Sequence, residues 1–206
     1  MTGKSLAATR RVFENATRIP LAQGWLEKEE KHFAPAQVAI GWRGKSLLVF
    51  AELTDKDIFT RAKKPNQKMW ELGDVFEMFL AVSGQPTYYE FHVTPNNLWL
   101  QLRFRDSTVV DELRKTGDFK PCLITKKVFH SNVWRRPKER RWFVLVEIPA
   151  KAICVTKAEA KRTLWDFSFS RYDYTRKPQR RVISSTSRHK KPNFHARKEW
   201  NRMKFV

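Results

Sequence analysis

The sequence predicts an all-β fold, an antiparallel β-sandwich of immunoglobulin-like or jelly-roll-like type with one short helix. Three observations carry this expectation. Apolar and polar side chains alternate along several short runs. Turn-forming residues punctuate those runs at regular intervals. A chain of 206 residues with 41% hydrophobic and 13% aromatic content can bury one large core. Residues 1–206 therefore read as a single domain, with 1–24 a leader that wraps or stays flexible and 175–206 a basic C-terminal segment.

The elements follow in order. Ala36 to Arg43 and Ser46 to Thr54 form a hairpin about a tight Arg43-Gly44-Lys45 turn, with Leu47, Val49, Ala51 and Leu53 on one face of the second strand. The charged segment 55–68, with Pro65 and Asn66, reads as a loop. A three-strand meander follows. Because side chains alternate along a strand, Phe76, Met78, Leu80 and Val82 oppose Val75, Glu77 and Phe79. Tyr89, Phe91 and Val93 likewise oppose Tyr88, Glu90 and His92, and the row Leu98, Leu100, Leu102, Phe104 opposes Trp99, Gln101, Arg103 and Arg105. If each apolar row packs on the core, the reverse face presents Glu77, Glu90, His92, Gln101 and Arg103 together. Gly84-Gln85-Pro86 and Thr94-Pro95-Asn96-Asn97 supply the two turns.

Beyond Asp106 the alternation fades, and Asp111 to Lys115 fits a short helix or a loop. Strand character returns at Phe119 to Phe129. The basic segment Trp134 to Arg141 reads as a turn into a strand from Trp142 to Ile148 that Pro149 ends. Ala150 to Arg162 is rich in helix formers and is the expected helix. Leu164 to Tyr174 alternates again, with Trp165, Phe167 and Phe169 against Asp166, Ser168, Ser170 and Tyr172. The chain from Thr175 reads as loop until Trp200 to Val206, an expected edge strand.

The formal charge of +20 implies a surface that attracts polyanions, nucleic acid among them. Much of the excess lies between Arg176 and Lys204, yet no helix-turn-helix, zinc-finger or ribonucleoprotein motif accompanies it. No run is long enough to span a bilayer as a helix, so no membrane partner is expected. Met1 to Arg18 holds no apolar stretch of signal-peptide length, so a complete chain is expected to be cytoplasmic. Cys122 and Cys154 are too few and too far apart for a metal knuckle or a disulfide framework, and read as buried thiols.

Nucleophilic catalysis has no supporting motif, since no Gly-x-Ser-x-Gly elbow is present. Glu77 and Glu90 on neighbouring strands keep a glycoside hydrolase open as an alternative. Asp55, Asp57 and Asp74 offer oxygen ligands near loops, a set suited to calcium, or else cap turns and strand ends. A haem site would need an axial Met or His, and Met78 reads as a core residue instead. For sugar binding, Trp70 could offer a flat apolar platform, with Tyr172 a further aromatic. Carboxylates, amides and guanidinium groups would bond the hydroxyls.

The segments Val38-Ala39-Ile40-Gly41-Trp42 and Leu48 to Ile58 resemble the opening strands of the family 9 carbohydrate-binding modules and their DOMON-like relatives. Trp70-Glu71-Leu72-Gly73-Asp74-Val75-Phe76-Glu77 is similar to the family's central strand, and Tyr88 to Asn97 to the strand that follows. Arg171-Tyr172-Asp173-Tyr174, the serine-rich turn after it and Pro192-Asn193-Phe194-His195 with Trp200 resemble the closing motifs of bacterial family 9-like proteins. The ordered set implies a β-sandwich that binds an oligo- or polysaccharide without catalysis, needs no cofactor and in some members carries structural calcium. It implies Trp70 and Tyr172 as stacking aromatics and Glu77 and Arg103 as hydroxyl ligands; strand alternation adds Glu90 and Gln101 to the polar set, and Arg171 is a further candidate for it. An acidic glycan suits the charge, and the resemblance implies an extracellular or periplasmic setting. Beside the glycoside hydrolase, two further alternatives remain open, a polyanion or nucleic-acid binder using the basic C-terminal segment and a haem-binding DOMON domain.

Overall fold

Eleven strands form two antiparallel sheets packed face to face in the computed structural model, which describes residues 5–153 and 163–204. The strands are β1 Arg18–Leu21, β2 Ala36–Arg43, β3 Ser46–Thr54, β4 Val75–Val82, β5 Tyr88–Val93, β6 Trp99–Phe104, β7 His130–Arg136, β8 Arg141–Pro149, β9 Leu164–Arg176, β10 Gln179–Ser185 and β11 Asn201–Lys204. The first sheet runs β1-β2-β3-β8-β7. The second runs β10-β9-β4-β5-β6, with β11 pairing on the N-terminal half of β9. The expected sandwich is therefore present, and the β11 edge strand with it.

The core between the sheets follows the predicted alternation. Val38, Leu47, Val49, Ala51, Trp142, Val144 and Val146 from the first sheet meet Phe76, Met78, Leu80, Phe91, Phe167 and Phe169 from the second. Met78 is wholly buried in this layer, as expected of a packing residue. Two further apolar layers lie on the outer faces. Helix α1, Leu6–Val12, is capped by the Ser5 side chain, which accepts from Ala8 N–H at 3.1 Å. Its residue Leu6 joins Phe13, Leu48, Phe50 and Phe143 over the first sheet. Helix α2, Thr108–Thr116, ends at Gly117, whose φ of 68° is the left-handed geometry glycine adopts without penalty. It covers the outer face of the second sheet together with Phe119, Phe194 and Trp200. Strands β4 and β5 are consequently covered on both sides, and all but one of their residues are buried.

Several expectations need correction. The described chain holds two α-helices, α1 inside the leader and α2 where helix and loop were both open. Of the expected helix from Ala150 to Arg162, Ala150–Ile153 is a 3₁₀ turn and the remainder lies outside the described residues. The segment 119–129 makes a 3₁₀ turn at Lys120–Cys122 and then runs as a loop, while the next strand is β7, which sequence alone placed partly in a turn. Strand β10 occupies a segment read as loop. Both strands lie at sheet edges, where charged side chains such as Arg135, Arg136, Arg180 and Arg181 are the usual protection against unwanted pairing. Their basic sequences hid them. Cys122 is a buried free thiol, and Cys154 falls outside the described residues.

Candidate functional site

A cavity of about 390 Å³ opens over the outer face of the second sheet. Its floor is β4 and β5, its flanks are Trp70 and α2, and its far wall is the segment from Pro192 to His195. Antiparallel register explains the floor. Glu77 stands opposite His92, and Glu90 opposite Phe79, so Glu77, Phe79, Glu90 and His92 share one face. Of the residues expected to bind sugar, Trp70, Glu77, Glu90 and Tyr172 line this cavity. The segment 192–195 was legible only as a closing motif, and its part as a wall could not be read without the docking of the C-terminal segment.

Gln101, Arg103 and Arg171 do not belong to it. Leu100 and Leu102 pair with His92 and Glu90, so the apolar row of β6 faces the cavity side, and Gln101 and Arg103 face the other. The expectation inverted this strand because it assumed that only one side of the sheet is apolar; α2 and the C-terminal segment give the second side a core of its own. Gln101 is instead wholly buried and staples a loop. Its amide nitrogen donates to the carbonyls of Ile124 at 2.8 Å and Lys126 at 2.7 Å, and its oxygen accepts from Val128 N–H at 3.1 Å. Arg103 is exposed. Arg171 pairs with Phe76 in register and so projects between the sheets.

Trp70 sits in a short 3₁₀ turn, Met69–Glu71, with its ring edge-on to His92 at 5.6 Å and to Phe119 at 6.0 Å between centroids. Tyr172 meets Phe194 at 5.8 Å with the rings perpendicular. On the floor, His92 Nε2 hydrogen-bonds Glu90 and lies 3.4 Å from the Glu77 carboxyl. Burial, reinforced by the neighbouring Glu90, pushes Glu77 up to about 8 against the pull of His92. Glu90 goes the other way: burial alone would raise it, but the charge and hydrogen bond of His92 outweigh that and hold it below the usual carboxylate range. His92 in turn is raised, because the two carboxyls overcome the effect of its burial. His195, whose Nδ1 is 2.9 Å from the Tyr88 hydroxyl, is lowered by burial. Burial and charge thus push the two carboxyls of the floor in opposite directions about one imidazole.

Asp55 and Asp74 converge with Asp173 in a second buried cluster, while Asp57 does not join it. Asp57 forms a fork with the Arg176 guanidinium, whose hydrogen bonds hold its pKa below the ordinary range. Asp57 is thereby committed to Arg176 and stands apart from the expected oxygen set. The oxygens that remain do not fit calcium either, which asks for about six to eight of them. Both oxygens of Asp74 accept backbone N–H groups, from Phe59 at 2.6 Å and Tyr174 at 2.8 Å. Those of Asp55 accept from Asp57 N–H at 2.9 Å and Trp142 Nε1 at 3.1 Å. Arg171 stands 3.3 Å from Asp55 and 3.1 Å from Asp173, so a guanidinium already supplies the local positive charge.

No family model and no curated protein matches the chain. Among solved structures, a presumed carbohydrate-binding protein from Bacteroides uniformis shares 16% identity at a TM-score of 0.71, over 100% of this chain and 95% of its own. A family 9 carbohydrate-binding module from Caldicellulosiruptor kristjanssonii, crystallised with cellotriose, matches with 16% identity and a TM-score of 0.60 over 94% of this chain and 84% of its own. The same organism's family 9 module in complex with glucose gives 16% and 0.59, over 95% and 86%. The likeness is one of fold, and the fold is the one expected from the ordered motifs.

Proposed function

We propose that the chain is a non-catalytic carbohydrate-binding protein whose sugar site is the cavity over β4 and β5. One observation carries this reading: a single cavity brings the aromatic rings of Trp70 and Tyr172 together with the buried carboxyls of Glu77 and Glu90. Aromatic faces suit the apolar side of a pyranose, and carboxyls suit its hydroxyls. The family 9 modules with cellotriose and glucose support the assignment by their shared fold. Binding is favoured over hydrolysis because Glu77 and Glu90 meet the same His92 nitrogen and so stand on one side of the cavity. A hydrolase needs them to flank a scissile bond.

Calorimetric titration of the protein with a panel of mono- and oligosaccharides tests the reading. Trp70→Ala is expected to remove measurable affinity while the far-ultraviolet circular dichroism stays that of the parent. Unaltered affinity in that variant would move the site elsewhere. An acidic glycan is the finer form of the proposal, suggested by the net charge of +20. A second reading, polyanion binding by the C-terminal segment, is favoured by the exposure of Arg181, Arg188, Lys190, Lys191 and Lys198.

A further inference from the structure

The floor of the cavity holds a buried carboxyl oxygen without a partner, although the protein as a whole carries +20. At the mouth, Lys68 pairs with Glu71 at 3.9 Å. Arg114 donates to the Asn193 side-chain oxygen at 2.8 Å and meets Asp111 at 3.5 Å. The floor is less well matched. The Glu77 side chain is 3% exposed, lines the cavity and faces His92, 3.4 Å away, and the like-charged Glu90. Glu90 Oε2 has no hydrogen-bond partner, with His195 Nε2 3.8 Å away. One imidazole, His92, meets two carboxyls, so with both carboxyls ionised even a protonated His92 leaves the floor one positive charge short. A buried carboxyl without a partner is costly, and a cation supplied by a ligand removes that cost.

The surroundings say which kind of cation. His92 Nδ1 is buried without a hydrogen-bond partner, whereas a metal-bound imidazole almost always donates its second N–H. The Nε2 atom that would face a metal is itself bonded to Glu90. Around the carboxyls stand Trp70, Phe79, Phe104 and Phe119, whose ring faces attract an organic ammonium.

We infer that the cavity takes a saccharide bearing a primary amine, an amino sugar whose ammonium is held by Glu77 and Glu90 while the aromatic rings cover the ring carbons. This rests on the carbohydrate reading above and narrows its ligand class. Burial of Glu77 and the repulsion of Glu90, which together raise its pKa, are what an ammonium placed there would reverse.

The experiment titrates the intact protein with three probes of equal length: β-1,4-linked glucosamine oligomers, their N-acetylated forms and cello-oligosaccharides. Parallel titrations use Glu77→Gln. The glucosamine oligomer is expected to bind at least about tenfold more tightly than the other two, a difference on the scale of one charge-assisted hydrogen bond. That preference should disappear in Glu77→Gln. Acetylation removes the charge from the ligand, so the comparison stands even if the variant folds poorly. Equal or tighter binding of the cello-oligosaccharide would overturn the amine inference and leave the carbohydrate reading in place. Failure of all three probes, and of the wider saccharide panel, would overturn both.

Discussion

Glu77 and Glu90 have the same side chain on adjacent strands, and their surroundings push their proton affinities apart. The consequence for stability has a definite sign. Glu77 has an ordinary pKa of 4.5 and a folded value of about 8. Between those values the folded chain keeps a proton that the unfolded chain has released, so rising pH favours unfolding. His92, also raised on folding, acts in the same direction as pH passes through its folded value, and Asp74, raised to about 9 by burial and by Asp55, does so too. Glu90, lowered on folding, stabilises above its ordinary pKa and loses that contribution only in acid. The melting temperature is therefore expected to fall from about pH 5 to about pH 8, and Glu77→Gln should flatten the slope. A slope of the opposite sign, or one unaffected by the substitution, would contradict the placement of that carboxyl. Strand periodicity made Glu77, Glu90 and His92 legible from sequence, because polar residues at alternate positions of apolar runs stand out. It failed for Gln101 and Arg103, since a sheet with apolar cover on both faces gives alternation no unique phase.

At the level of elements, two joints hold the cavity floor in place. Gly73, with φ of 136°, connects the Trp70 turn to β4, and a Cβ there would stand 2.7 Å from the Phe59 carbonyl oxygen and 2.8 Å from Thr60 Cα. Gly73→Ala must displace that backbone or strain its own, at a cost of about 2 kcal/mol. Urea denaturation should read this as a lower midpoint with little change in slope. The second joint is Gln101, whose three hydrogen bonds bind the 124–128 loop to β6. Gln101→Leu is expected to cost about 2 kcal/mol and to speed amide exchange at Val128. Slow exchange retained at that amide would show that the staple is dispensable. The central strands, β3, β4, β5 and β8, were legible because their apolar content is dense. The edge strands β7 and β10 were not, because the charges that keep an edge soluble resemble those of a loop.

For the whole molecule, the decisive quantity is where the +20 resides. Arg181, Arg188, Lys190, Lys191 and Lys198 of the C-terminal segment are exposed, while the cavity is lined mainly by rings and carboxyls, with Lys68 and Arg114 among its lining residues. The two modes differ in their response to salt. Affinity for heparin or single-stranded nucleic acid should fall steeply, and linearly on logarithmic axes, as salt rises. Polyanion binding indifferent to salt would remove the basic surface from consideration. Charge was visible in the sequence from the outset, but its separation from the cavity floor depended on register and on the docking of distant segments.

One feature of the cavity bears on how the chain reaches its working form. The floor carries Glu90 and the wall carries Asn193, about a hundred positions apart in the sequence. A partly folded chain could complete the first sheet and pair β4, β5 and β6 and still have no cavity wall, because the wall segment lies between β10 and β11 and seats only when these pair with β9. Occupancy then reports maturation: ligand captures molecules whose last segment has seated, and it slows the escape of that segment by mass action.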